Sequence, residues 1–356
     1  MNYVNLIADI NICLWMRTMN KNKKLLILPL LLLSPLTIAM QPMDDQSLSS
    51  MTGQDGITIG VQTSLQFDQL SIIDNDGLSY NGYVSPSYTN RGGLVIAGVA
   101  GQATTSPVKV TALSGSTETT LGFKAVIDSD AGSSSTGGAF TNINLALNNN
   151  ITGIRISPFS IYSAAAGSLS NYSGSTYTRN TIFSSGTLLK SDVKELLRVG
   201  NVDIIFAANK PSMNIQLGAA PQGKMILFGG AIDSICGVGL GCNVMLVSDY
   251  ATPGNSTTAP VGASFNFKLT GNNGNPFNLN GFYAGIYAPV GIEKGGIVFG
   301  NTGTSDKFNL QLNNVLLGTT NSQNTNSFNN LPNASIGNIG ITGASVTNLK
   351  MKISGL

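Results

Sequence analysis

Apolar and polar residues alternate one by one along most of this chain, in runs such as Ile57-Thr58-Ile59-Gly60-Val61, Phe265-Asn266-Phe267-Lys268-Leu269 and Phe308-Asn309-Leu310-Gln311-Leu312. Successive side chains of a strand point to opposite faces, so this period predicts strands that bury one face and show Asn, Gln, Ser or Lys on the other. Turn signals punctuate the runs at Asn75-Asp76-Gly77, Asn81-Gly82, Gly132 to Gly138, Gly271 to Gly274 and Asn280-Gly281. The expected fold is all-β, an elongated antiparallel β-sandwich or β-roll.

One stretch breaks the alternation. In Leu188 to Gly200, Asp192 is placed to cap a helix and Glu195 to close a capping box. Val193, Leu196 and Leu197 share a helical face, and Gly200 ends it. A short helix is therefore expected near 192–199. An echo between Asn144–Ile151 and Asn309–Leu316, together with short repeats from Ala334 to Leu349, keeps a parallel β-solenoid as the alternative fold. The Ser/Gly/Tyr stretch from Ala164 to Thr181 suggests two β regions, 40–180 and 181–356, or one continuous domain.

Residues 1–39 read as a leader. Lys21, Lys23 and Lys24 form its positive region, Leu25 to Leu33 its apolar region, and Thr37 and Ala39 the −3 and −1 positions of a cleavage site. The apolar run falls short of the roughly 20 residues of a spanning helix. The segment before Met19 is unusual for a leader, which puts the expected start at Met16 or Met19. Removing the leader takes away four of the 19 basic residues and one of the 17 acidic ones, so a formal charge of +2 becomes −1. No further long apolar segment follows. Two cysteines remain, Cys236 and Cys242, on either side of a Gly-rich run; in an exported chain they are expected to form a disulfide closing a small turn.

Candidate chemistry is thin. The chain has no His, which excludes Ser-His-Asp and Cys-His catalysis and a histidine metal site. Asp74-Asn75-Asp76-Gly77 and Asp128-Ser129-Asp130 resemble pieces of a calcium loop, but the first lacks the ligands an EF-hand needs at Ile72 and Tyr83. Both read as turns. Glu118, Glu195 and Glu293 are the Glu residues after the leader, and Asp203 and Asp233 sit in strand-like contexts; no spacing selects a glycosidase pair. Lys210 and Lys224 lack a P-loop's glycines. Basic residues are scattered singly, so no nucleic-acid footprint forms. No cofactor and no metal site are expected.

The segment after the leader carries the most specific motif, Leu48-Ser49-Ser50-Met51-Thr52-Gly53-Gln54-Asp55-Gly56-Ile57. It resembles the mature opening of the Fil-type pilus-system proteins, exported Gram-negative surface proteins with a β-rich body. Ile154–Tyr162, Lys210–Ala219, Asn280–Ala288 and Ser345–Leu356 are similar to that family as well. The resemblance implies a structural or adhesive part in a surface filament or its assembly, and no catalytic residues. Thr52 to Ile59 could pair with the sheet edge of another subunit.

The expected protein is thus a non-enzymatic, exported component of a pilus- or fimbria-like surface system, found from periplasm to outer surface. Its expected partners are other subunits or accessory proteins, with self-association, no nucleic acid and no integral membrane segment after leader removal. Two rivals are an outer-membrane β-barrel, favoured by Gly281 to Ala288, and a carbohydrate-active enzyme on a β-solenoid.

Overall fold

The alternating segments become strands, and the strands stack in the order of the chain. A computed structural model describes residues 56–74, 77, 90–101, 106–169, 172–173, 176–177, 180–249, 261–291, 294–319 and 334–354. The expected leader and Thr52 to Asp55 of the motif lie outside these residues, as do Asn75-Asp76 and Asn81-Gly82. From Gly56 onward the chain forms one compact unit.

The first sheet has eight strands: Ile57–Thr63, Leu121–Asp130, Phe140–Leu147, Ser212–Gly218, Ile226–Gly229, Phe282–Tyr287, Gly296–Asn301 and Lys350–Ser354. Their spatial order is their chain order, and every neighbour pair is antiparallel.

The second sheet has two arms. One runs Leu65–Phe67, Val108–Ser114, Gly153–Ile156, Val202–Phe206 and Ala231–Ile235. The other runs Gln69–Asp74, Gly92–Ala97, Phe159–Ala165, Val193–Val199 and Cys242–Asp249. The long strand Val261–Gly271 joins the arms by pairing with the last strand of each, and Phe308–Thr319 and Ala334–Ala344 follow on its free side.

Chain order and sheet order together describe a serpentine. Ile57–Thr63, Leu65–Phe67 and Gln69–Asp74 pass from the first sheet into the second. Gly92–Ala97, Val108–Ser114 and Leu121–Asp130 come back. Each such passage is a rung, and each rung lies antiparallel on the one before. The expected antiparallel β-sandwich is what forms. The parallel solenoid is not: rungs do stack, but direction reverses at each one. The echo that suggested it is coincidental, since Asn144 lies in the first sheet and Asn309 in the second. Neither sheet closes on itself, so the described residues form no barrel. Pairing of Phe140–Leu147 with Ser212–Gly218, and of Phe159–Ala165 with Val193–Val199, crosses the 180/181 division.

The two sheets meet across an apolar interior. A cavity of about 460 Å³ lies between them, lined from one side by Phe123, Leu145 and Phe228 and from the other by Ile154, Ile204 and Phe206. Further along, Phe277 of the second sheet packs on Phe282 of the first at 5.6 Å between ring centroids. Phe282 stacks on Phe299 at 6.0 Å, an arrangement that adds to simple burial.

A second core lies on the second arm, where Val95, Ala97, Tyr162, Ala164 and Val193 are covered by Leu169, Ile182 and Leu189. Tyr162 is fully buried there; its hydroxyl donates to the Gly98 carbonyl (2.7 Å) and accepts from the Ala100 N–H (3.0 Å). Burial, and then the charge of Glu195, pushes its phenol well above the ordinary tyrosine range.

The expected helix at 192–199 is a strand. Val193–Val199 pairs with Phe159–Ala165 on one side and Cys242–Asp249 on the other. Its register slips between Ile161 and Tyr162, leaving Leu196 as the extra residue of a bulge. That residue breaks the alternation and spaces Val193, Leu196 and Val199 as a helix would. The α-helix of the described residues is instead Ala166–Leu169, in the covering segment. Glu195, read as a capping partner, is fully buried. It accepts from the Ser160 hydroxyl (2.6 Å) and from Arg198 Nε (2.9 Å) and Nη2 (2.8 Å). Removing the cation from a buried ion pair costs about 3–5 kcal/mol. Arg198→Met should therefore destabilise the unit by about that amount in chemical denaturation, and pairing it with Glu195→Leu should recover most of the loss.

Candidate functional site

In the interior of the stack the strands of the first sheet, and the successive strands of each arm of the second, lie between two others. The terminal strands do not, and they hold half of the exposed large apolar residues. At the first end, Ile57–Thr63 pairs on one edge with Leu121–Asp130. Ile57, Ile59 and Val61 stand opposite Ile127, Ala125 and Phe123, so they share the face that lines the interior cavity at Phe123. With no rung beyond them among the described residues, Ile57 is 63% exposed, and Ile72 of Gln69–Asp74 is 67% exposed. At the last end, Met351 and Ile353 stand opposite Phe299 and Ile297 and are also exposed. So are Ile336, Ile339 and Ile341 of Ala334–Ala344. Contiguous apolar exposure of this kind marks a contact surface.

Gly56 of the motif has a local task. Its φ is +57°, and a Cβ there would come 2.5 Å from the Ile127 carbonyl oxygen. Only glycine enters the first strand by this route without strain. Ile57 then opens the strand.

Cys236 and Cys242 form the expected disulfide, with Cα atoms 5.2 Å apart. The enclosed loop is pinned further by Lys268 Nζ, which donates to the Gly239 carbonyl (3.2 Å), and by Asn313 Nδ2, which donates to that of Leu240 (2.9 Å). Gly241 sits 2.2 Å, at its would-be Cβ, from the Phe267 carbonyl oxygen. The result is a fastened tip that holds Val238 and Leu240 out in solvent.

The polar residues singled out in the sequence are held in the scaffold. Asp203 pairs with Arg155 on the adjacent strand in a two-pronged bridge, both N–H···O distances 2.7 Å. Arg155 Nη1 also reaches Glu118 at 3.0 Å. Asp203, and then Glu118, hold the guanidinium proton more firmly than usual. The two carboxylates thus share one cation on a sheet face. Asp128, Ser129 and Asp130, expected as a turn, instead end the strand Leu121–Asp130 and pair with Asn142, Thr141 and Phe140; the two carboxylates accept from the backbone N–H groups of Ser129 and Gly132. Asp233 is exposed on its strand. Lys210 Nζ donates to the carbonyls of Asn148 and Asn149, and Lys224 Nζ lies 4.4 Å from the Tyr283 ring centroid.

A polar pocket of about 480 Å³ is lined by Asn272, Asn273, Asn275, Asn278, Asp306 and Lys307. Within it the Asp306 carboxylate accepts from Asn278 Nδ2 (2.6 Å) and from the Asn278 N–H (3.2 Å). Among the described residues, no three His, Cys, Asp or Glu side chains cluster to hold a metal, and no helix is long and apolar enough to cross a membrane.

The sequence pointed to Cys236 and Cys242 and to the motif. Beyond the suggestion that Thr52 to Ile59 pairs with another subunit, it did not point to the terminal rungs as surfaces, because alternation looks the same in an end strand and in a covered one. Val238 and Leu240 were legible in principle, as bulky residues between glycines in a closed loop.

Residues 18–131 match the model of a family of unknown function (DUF6160). No curated protein and no solved structure matches the chain.

Two outcomes follow from this geometry. Gly56→Ala should cost about 1–2 kcal/mol, confined to the first rung. Amide exchange should then quicken in Ile57–Thr63 and stay slow in Phe140–Leu147. Replacing Cys236 and Cys242 by Ser should lower stability by about 2 kcal/mol, as expected for so short a loop, read from denaturant midpoints.

Proposed function

We propose that this chain is a non-enzymatic, exported surface protein that serves as a structural or adhesive component of a pilus-like assembly. The observation that carries the reading is the pair of apolar strand edges at the two ends of the stack, which no strand covers among the described residues. Soluble monomers blunt such edges with charge, proline or a covering segment. Here the last two strands of the stack present Ile336, Ile339, Ile341, Met351 and Ile353. The sequence adds the leader, a body with few charges, and the resemblance of the Thr52–Ile57 motif to Fil-type pilus-system proteins. The disulfide fits an oxidising compartment outside the cytosol. The fastened tip with Val238 and Leu240 supports a second point of contact on the same protein.

Immunogold labelling of intact producing cells tests the reading. Label is expected on filaments or the outer surface, and to vanish from filaments when residues 44–60 are deleted. Protein confined to the cytoplasm, with the leader uncleaved in its mass spectrum, would overturn it.

A further inference from the structure

We infer that copies of this chain stack head to tail, the last rung of one on the first rung of the next, so that both sheets continue from copy to copy. This rests on the proposed role in an assembly and names its contact.

Direction comes first. The first sheet holds eight strands, each antiparallel to its neighbours, so its terminal strands Ile57–Thr63 and Lys350–Ser354 run in opposite senses. A second copy placed end to end in the same orientation therefore meets Lys350–Ser354 with an antiparallel Ile57–Thr63. The second sheet agrees. The last rung passes from the second sheet to the first, through Ala334–Ala344 and then Lys350–Ser354. The first rung passes from the first sheet to the second. Head-to-tail stacking thus continues the alternation of the serpentine without a fault.

The lengths also correspond. Ile57–Thr63 has 7 residues and Lys350–Ser354 has 5. In the second sheet, Ala334–Ala344 has 11 residues, and it would face Leu65–Phe67 and Gln69–Asp74, of 3 and 6 residues with Asp68 between them. The surfaces are apolar on both sides, with Ile57, Ile59 and Ile72 at one end and Ile339, Met351 and Ile353 at the other.

The sign of the charges agrees with this orientation. The charged residues of 56–74 are Asp68 and Asp74, and those of 334–354 are Lys350 and Lys352; Asp68, Asp74 and Lys352 also have contacts within their own chain. First end on last end brings opposite signs together. First on first, or last on last, brings like signs together. A contact between two different patches that does not close into a ring produces an open filament.

Mixing of end-blocked variants tests this in the full chain, independently of where the protein lies on a cell. Ile59→Lys with Ile72→Lys blocks the first end. Ile339→Lys with Ile353→Lys blocks the last. All four positions are exposed, and circular dichroism and melting curves establish that each double variant is folded. In sedimentation velocity, the unaltered chain should grow beyond dimer as concentration rises, and each variant alone should remain monomeric. An equal mixture of the two variants should give dimers and nothing larger, because each supplies the end that the other lacks. An unaltered chain that stays monomeric would overturn the inference, including the case in which its own residues before Gly56 cover the first rung. So would dimers of either variant alone, a mixture that fails to pair, or variants that assemble as the unaltered chain does.

Discussion

Backbone hydrogen bonding between consecutive rungs is the constraint on which this protein depends. A strand leaves N–H and C=O groups along both edges, and in the interior of the stack each edge is satisfied by the rung before or after. Nearly everything else serves that ladder. Glycines such as Gly56 and Gly241 stand where another side chain would strike a neighbouring carbonyl. The aromatic cluster of Phe277, Phe282 and Phe299 holds the two sheets against each other. The bridge from Arg155 to Asp203 ties adjacent strands together.

The second arm needs more than the ladder. Its outer face is roofed by Leu169, Ile182, Phe183 and Leu189, and this roof makes a true interior around Tyr162. Burying a tyrosine hydroxyl and a carboxylate side by side would be costly if either lacked partners. Tyr162 is tied to the backbone at Gly98 and Ala100, and Glu195 to Ser160 and Arg198. Neutralisation and hydrogen bonding, rather than exposure, make the charge tolerable there.

How much of this could be read from the sequence depends on the range of the interaction. Strand content, turn glycines and the disulfide are local, and they were legible. Gly281 and Gly137 take positive φ values where turns were expected. Val193–Val199 misled because a bulge at Leu196 moves one residue across the sheet, and a period of two with one insertion imitates a period near 3.6. The order of the strands was not legible, since no residue in Ile57–Thr63 records that Leu121–Asp130 will pair with it. The same limit hid the candidate surface: an end strand differs from an inner one in what lies beyond it, and a sequence does not state that.

The serpentine has a consequence for how the chain reaches its fold. Neighbouring rungs are consecutive in the chain, so each new strand finds its partner already formed by the residues just ahead of it. A polypeptide delivered N-terminus first through a pore can therefore fold by accretion, adding one layer at a time on a template that is never far behind. The growing face at every stage is an unsatisfied strand edge, of the kind that Lys350–Ser354 leaves among the described residues. Each added layer thus hands on the kind of edge that received it.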